Sequence, residues 1–78
     1  MRKKEEHLII AFHSTHDAMA FEAFCKEKGA DGRLIPLPKE ISAGCGLSWC
    51  APPDSESEMG GILEDAGITP QEMRVCLI

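Results

Sequence analysis

His7-Leu8-Ile9-Ile10-Ala11-Phe12-His13, running straight into Ser14-Thr15-His16-Asp17, reads as a strand delivered into a capped helix. The first seven residues are short, largely apolar and rich in strand formers. Ser14 followed three places later by the Asp17 carboxylate is a capping-box-like start. The hydroxyl accepts from one of the unpaired first-turn N–H groups, and the negative charge suits the positive end of the helix. The helix is expected to run to about Lys28, with Ala18, Phe21 and Cys25 spaced three and four apart and Phe24 beside them. Gly29 supplies its stop.

Working outward, the second half repeats this grammar. A strand fits Arg33 to about Leu37, where Pro36 and Pro38 suit only an edge or a strand end. A third short strand fits Leu47-Ser48-Trp49-Cys50, and Pro52-Pro53 breaks it. Asp54 or Ser55 then caps a second helix, with Ser55 and Glu58 repeating the box spacing. Met59, Ile62, Leu63 and Ala66 make its apolar face, and Gly67 ends it. Gly60-Gly61 lacks the strand-turn context of a phosphate loop and suggests close helix packing. Met73 to Ile78 is the last strand. The order β-α-β-β-α-β predicts an α+β fold, a ferredoxin-like four-stranded sheet with both helices on one face. One domain, residues 1–78, is expected, with residues 1–6 frayed.

Composition excludes several classes. The chain is 44% hydrophobic and 27% charged, which is ordinary for a folded domain. Its net charge of −5 argues against nucleic acid, which demands a concentrated basic surface. Arg2-Lys3-Lys4 is the one basic cluster, and Glu5-Glu6 cancels it. No segment approaches the ~18 apolar residues of a membrane span. The N-terminus lacks the apolar stretch of a signal peptide, and Cys76-Leu77-Ile78 falls one residue short of a prenylation box. A cytoplasmic location is expected, and there four cysteines are more often reactive or metal-binding than disulfide-paired.

The four thiols differ in setting. Cys25 shares a helix face with Ala18 and Phe21 and reads as a packing residue. Cys76 alternates with Val75 and Leu77 and reads as structural, on the opposite face of the sheet. Cys45 stands apart, inside Ser42-Ala43-Gly44-Cys45-Gly46-Leu47. Glycine on each side removes the side chains that would bury it and permits turn geometry. Consecutive N–H groups in such a turn can form an anion-binding nest, which stabilises the thiolate that does the chemistry. Arg33 and Lys39 are the nearest cations in sequence, and either could reach that end of the sheet. Cys50 reads equally well as a strand residue beside Trp49 or as a thiol that resolves an oxidised or sulfur-loaded Cys45. Fully extended chain would separate it from Cys45 by ~16 Å, and a turn through Gly46 would shorten that span. Cys45-x4-Cys50 with His7, His13 or His16 is a poor zinc set, since it lacks a second clustered pair. No metal and no cofactor are expected.

Arg33-Leu34-Ile35-Pro36-Leu37-Pro38-Lys39, followed by Ile41-Ser42-Ala43-Gly44-Cys45-Gly46-Leu47-Ser48, resembles the small bacterial family named Putative Se/S carrier protein-like. The resemblance extends upstream through the strand ending at Phe12 and through Ser14-Thr15-His16-Asp17-Ala18-Met19. It implies an αβ domain whose Gly-Cys-Gly thiol, here Cys45, holds sulfur or selenium as a persulfide or selenosulfide. Relatives often place a basic residue shortly after the motif's leucine, where this chain has Cys50. That departure removes a cation and adds a second sulfur.

Three functions are therefore in view. The first is a carrier, a substrate of enzymes rather than an enzyme itself, loaded on Cys45 by a donor enzyme and unloaded onto an acceptor protein. The second is a non-catalytic binding or regulatory module. The third is a thiol redox protein pairing Cys45 with Cys50. Protein partners are expected, with neither nucleic acid nor membrane. A homodimer becomes available if the apolar strand Met73 to Ile78 lies at an edge.

Overall fold

The computed structural model describes residues 4–39, 41 and 46–78. Six elements follow one another: β1 (Glu6–Ala11), α1 (Thr15–Lys28), β2 (Arg33–Pro36), β3 (Leu47–Ala51), α2 (Glu56–Ala66) and β4 (Glu72–Leu77). The strands form one sheet in the order β2-β3-β1-β4, and every neighbouring pair is antiparallel. Each strand-helix-strand unit is thus split by one foreign strand: β3 lies between β1 and β2, and β1 between β3 and β4. This is the expected α+β, ferredoxin-like arrangement.

The boundaries follow from local chemistry. Ser14 adopts an extended backbone, and its hydroxyl accepts from the Asp17 N–H at 3.1 Å. Gly29 closes α1 in the left-handed conformation with φ 70°, and the Ala30 N–H reaches back to the Cys25 carbonyl at 2.9 Å. Gly67 closes α2 the same way at φ 68°, with the Ile68 N–H on the Leu63 carbonyl. At the start of α2 the predicted box does not form. Ser55 is the cap residue, but its hydroxyl donates to the Pro52 carbonyl at 2.6 Å and accepts from no helical N–H. The tight turn after Pro52-Pro53 brings that carbonyl nearer than the helical N–H groups. The expectation of close packing at Gly60-Gly61 also fails, because a Cβ at either position would meet nothing within 4 Å.

β1 is the hub, with Leu8, Ile9, Ile10, Ala11 and the following Phe12 all fully buried. Alternation along the strand feeds two separate clusters. Leu8, Ile10 and Phe12 join Trp49 and Ala51 of β3, and both helices cover them with Ala18, Phe21, Cys25, Met59, Ile62 and Leu63. Phe21 packs edge-on against Trp49 with ring centroids 5.5 Å apart. Ile9 and Ala11 face the other way and meet Cys50, Cys76 and Ile41, with Ile35, Leu37 and Ile78 packed around them. Among the described residues, that second face carries no helix. Leu37 and Ile41, from the connection between β2 and β3, cover it.

Candidate functional site

Cys45 and Gly44 lie outside the described residues. What is described is how the chain approaches and leaves them. The β2–β3 ladder runs one step past its last strand pair, with the Leu37 N–H donating to the Gly46 carbonyl at 3.0 Å. The Ile41 N–H donates to the Pro38 carbonyl at 3.0 Å, a turn that returns the chain toward the sheet. Ile41 then inserts its side chain into the helix-free face and is 3% exposed. Gly46 has φ 92°, a backbone conformation that disfavours any side chain, although a Cβ there would touch nothing. The glycine is therefore required by the backbone and not by crowding. The segment that carries Cys45 is thus anchored on both sides, by an apolar plug before it and a ladder hydrogen bond after it.

Cys50 occupies β3 with its Cα opposite Arg33 on one side and Ile9 on the other. It is 6% exposed, and burial raises its thiol pKa while the Arg33 guanidinium pulls it partly back. Arg33, His7, Lys4, Glu5, Ile35 and Ile78 surround it in a polar groove on the helix-free face. A shallow, mostly apolar groove adjoins it, sharing Lys4, Ile35 and Ile78 and adding Pro36, Pro38, Lys39 and Leu77. The two cations nearest Cys45 in sequence occupy different places. Arg33 sits beside Cys50 at the far end of β2, four residues before Leu37, whereas Lys39 is exposed on the connection itself.

The remaining thiols are packing residues. Cys25 is fully buried between helix and sheet, and its pKa is raised to about 11, chiefly by burial with Glu58 adding to it. Cys76 is 6% exposed and shares the helix-free face with Cys50, its Cα opposite His7. All three are free thiols. Burial holds Cys25 and Cys50 protonated, which makes them poor nucleophiles at neutral pH. His13 and His16 are exposed beside the start of α1. Among the described residues, no group of three or more His, Cys, Asp or Glu side chains is arranged to hold a metal ion. Nor is any helix among them long and apolar enough to cross a membrane.

Sequence reasoning missed two contributions. His7 and Lys4 line the groove over Cys50, and Leu37 with Ile41 fastens the connection to the sheet. The signal for both was available in β1. His7, Ile9 and Ala11 alternate on one face while Leu8, Ile10 and Phe12 fill the other, so a second apolar cover was required.

No curated protein and no solved structure matches the chain. The family model described as Putative Se/S carrier protein-like matches residues 7–74, from the first residues of β1 into β4. The match takes in all of α1, β2, β3 and α2, most of β1 and the first half of β4, so the chain belongs to the Putative Se/S carrier protein-like family.

Proposed function

We propose that this protein carries sulfur or selenium on Cys45 and hands it to an acceptor protein. The observation that carries this reading is that burial accounts for the other thiols. Cys25, Cys50 and Cys76 all pack in the core, and burial raises the pKa of the first two. Cys45 alone has glycine on both sides, in a connection fastened at Ile41 and Gly46. Family membership supports the same assignment.

The chemistry needs no redox partner. The Cys45 thiolate attacks the terminal sulfur of a persulfide on a donor enzyme. The donor's S–S bond breaks, its electron pair leaves on the donor thiolate, and a new S–S bond forms on Cys45. One persulfide is consumed and one is made. Delivery repeats the step with an acceptor thiolate attacking the carried atom, and a terminal selenium travels by the same exchange as a selenosulfide. Glycine on each side of Cys45 adds no side chain to hinder a partner protein, and Lys39 supplies a cation in the same stretch of sequence. Arg33 serves Cys50 instead. The free thiols among the described residues suit a reducing compartment, which is why we place the protein in the cytoplasm.

Cys50 as a resolving thiol is disfavoured by its burial and raised pKa, which slow its attack on any loaded sulfur. Incubation with a cysteine desulfurase and free cysteine, followed by peptide mass spectrometry, tests the proposal. Cys45 is expected to gain one sulfur atom that a thiol reductant removes, while Cys25, Cys50 and Cys76 stay unloaded. Absence of added sulfur on Cys45 would overturn it. If Cys45→Ser also left partner binding and cellular activity unchanged, a non-catalytic binding module would be the better reading.

A further inference from the structure

β4 is an edge strand of six residues with no proline, and its helix-side face is poorly covered. Val75 is 44% exposed and Leu77 56%, while Met73 between them and the helices is half-buried. The opposite edge is different. β2 has four residues and ends at Pro36. The Leu37–Gly46 bond sets the alternation there, so Arg33, Ile35 and Leu37 bond inward and Leu34 and Pro36 turn outward. Since proline has no N–H, that edge offers a single donor. Among the described residues, one edge is blunted and the other is open.

The hydrogen-bond pattern fixes what the open edge presents. Glu5 and Ile78 exchange both backbone bonds, each at 3.0 Å. Hydrogen-bonded pairs in an antiparallel ladder recur at every second residue, so Cys76, Arg74 and Glu72 bond inward to His7, Ile9 and Ala11. Met73, Val75 and Leu77 therefore direct their N–H and C=O groups away from the sheet. By alternation with Cys76, the same three residues carry their apolar side chains on the helix side, and Leu77 at the strand's end also borders the apolar groove.

We propose that two copies of the chain dimerise through this edge, β4 against β4, antiparallel and centred on Val75. Val75 of one copy then faces Val75 of the other, and Met73 faces Leu77 in both directions. The three facing pairs make about six inter-strand hydrogen bonds, two per pair. Every apolar side chain on the helix side meets an apolar one, and the two four-stranded sheets become one of eight with all helices on one side. Neighbouring registers fit less well. A centre at Arg74 sets that guanidinium against its own copy. A centre at Met73 matches Glu72 with Arg74 but faces Val75 with Gln71 and Leu77 with Thr69, apolar against polar. In the favoured register Glu72 and Arg74 keep the 3.0 Å ion pair they already make within one strand. A six-residue strand pair sits at the small end of protein interfaces, so the dimer forms in a concentration-dependent equilibrium.

Residue 75 faces itself only in this register, and the test uses that. Sedimentation velocity over a concentration series should show the wild-type chain passing from monomer to dimer. Val75→Lys should weaken self-association at least about tenfold by opposing like charges, and Val75→Glu should do the same. Mixing the two variants should restore a dimer containing one of each. In the wild type, the amides of Met73, Val75 and Leu77 should gain hydrogen-exchange protection as concentration rises, a measurement that needs no variant. A chain that stays monomeric with those amides unprotected overturns the proposal and leaves the edge to a strand of another protein. Variants that still dimerise alone, or fail to pair when mixed, overturn the register.

Discussion

Cys25 holds its proton until about pH 11 because it is sealed between α1 and the sheet, with Glu58 adding its negative charge. Unfolding returns the thiol to its ordinary value of 9.0. Below that value the group is protonated in both states and the folded chain keeps its full advantage. As pH rises from 9.0 toward 11, the unfolded chain gains by releasing the proton and the folded chain cannot. The group's contribution, about 2–3 kcal/mol, is therefore lost across that window. Cys25→Ala is expected to be somewhat less stable at neutral pH, through the lost packing, and to lose less stability on going alkaline. Urea midpoints of the two proteins at steps between about pH 8 and pH 11 give the comparison, and the chain has no tyrosine to confuse it. Parallel pH slopes would mean that the Cys25 thiol is not sealed in the folded chain.

At the scale of elements, glycines mark where backbone needs and packing needs diverge. Gly61 lies inside α2, exposed, with nothing near the position of an added Cβ. Its only effect on the helix is the entropy it costs, so Gly61→Ala is expected to stabilise the fold by about 0.5–1 kcal/mol. Gly32 sits just before β2 at φ 143°, and its added Cβ would fall 2.5 Å from the Trp49 Nε1 and 2.6 Å from the adjoining ring carbon. That indole is 2% exposed and pinned edge-on by Phe21, so it cannot swing aside. Its N–H finds no acceptor among the described residues, which is consistent with the ring having been placed for packing. Gly32→Ala is expected to cost about 2 kcal/mol or more, combining overpacking with backbone strain. Thermal melts of the two variants should shift in opposite directions, and a Gly61→Ala variant that melts below the wild type would show a packing role for that helix face after all.

For the whole molecule, three layers matter: helices, sheet, and the connection that covers the sheet's other side. The first two were legible, because Ser14, Gly29 and Gly67 punctuate helices whose apolar spacing is plain, and right-handed crossovers make the ferredoxin-like sheet the simplest topology for that order of elements. The third was not, because Leu37 and Ile41 sit among prolines and glycines in a stretch that reads as a turn. Only the unbroken burial of Leu8 through Phe12, needing cover on both sides, pointed to it. The neighbour of Arg33 was not legible either: β2 sets it opposite Cys50, a pairing that only the strand register reveals. Since the two faces have separate clusters, they should loosen separately. Ile41→Ala removes the 3%-exposed plug from the helix-free face and touches nothing beneath the helices. Under native conditions it is expected to speed alkylation of Cys50 several-fold by making local opening cheaper, while Cys25, covered by α1 and α2, keeps its slow rate. Mass-resolved labelling of each thiol over time reads both rates in one experiment. Equal acceleration at Cys25 would mean that the chain opens as a single unit, and the connection carrying Cys45 would then be no more separable from the fold than the helices are.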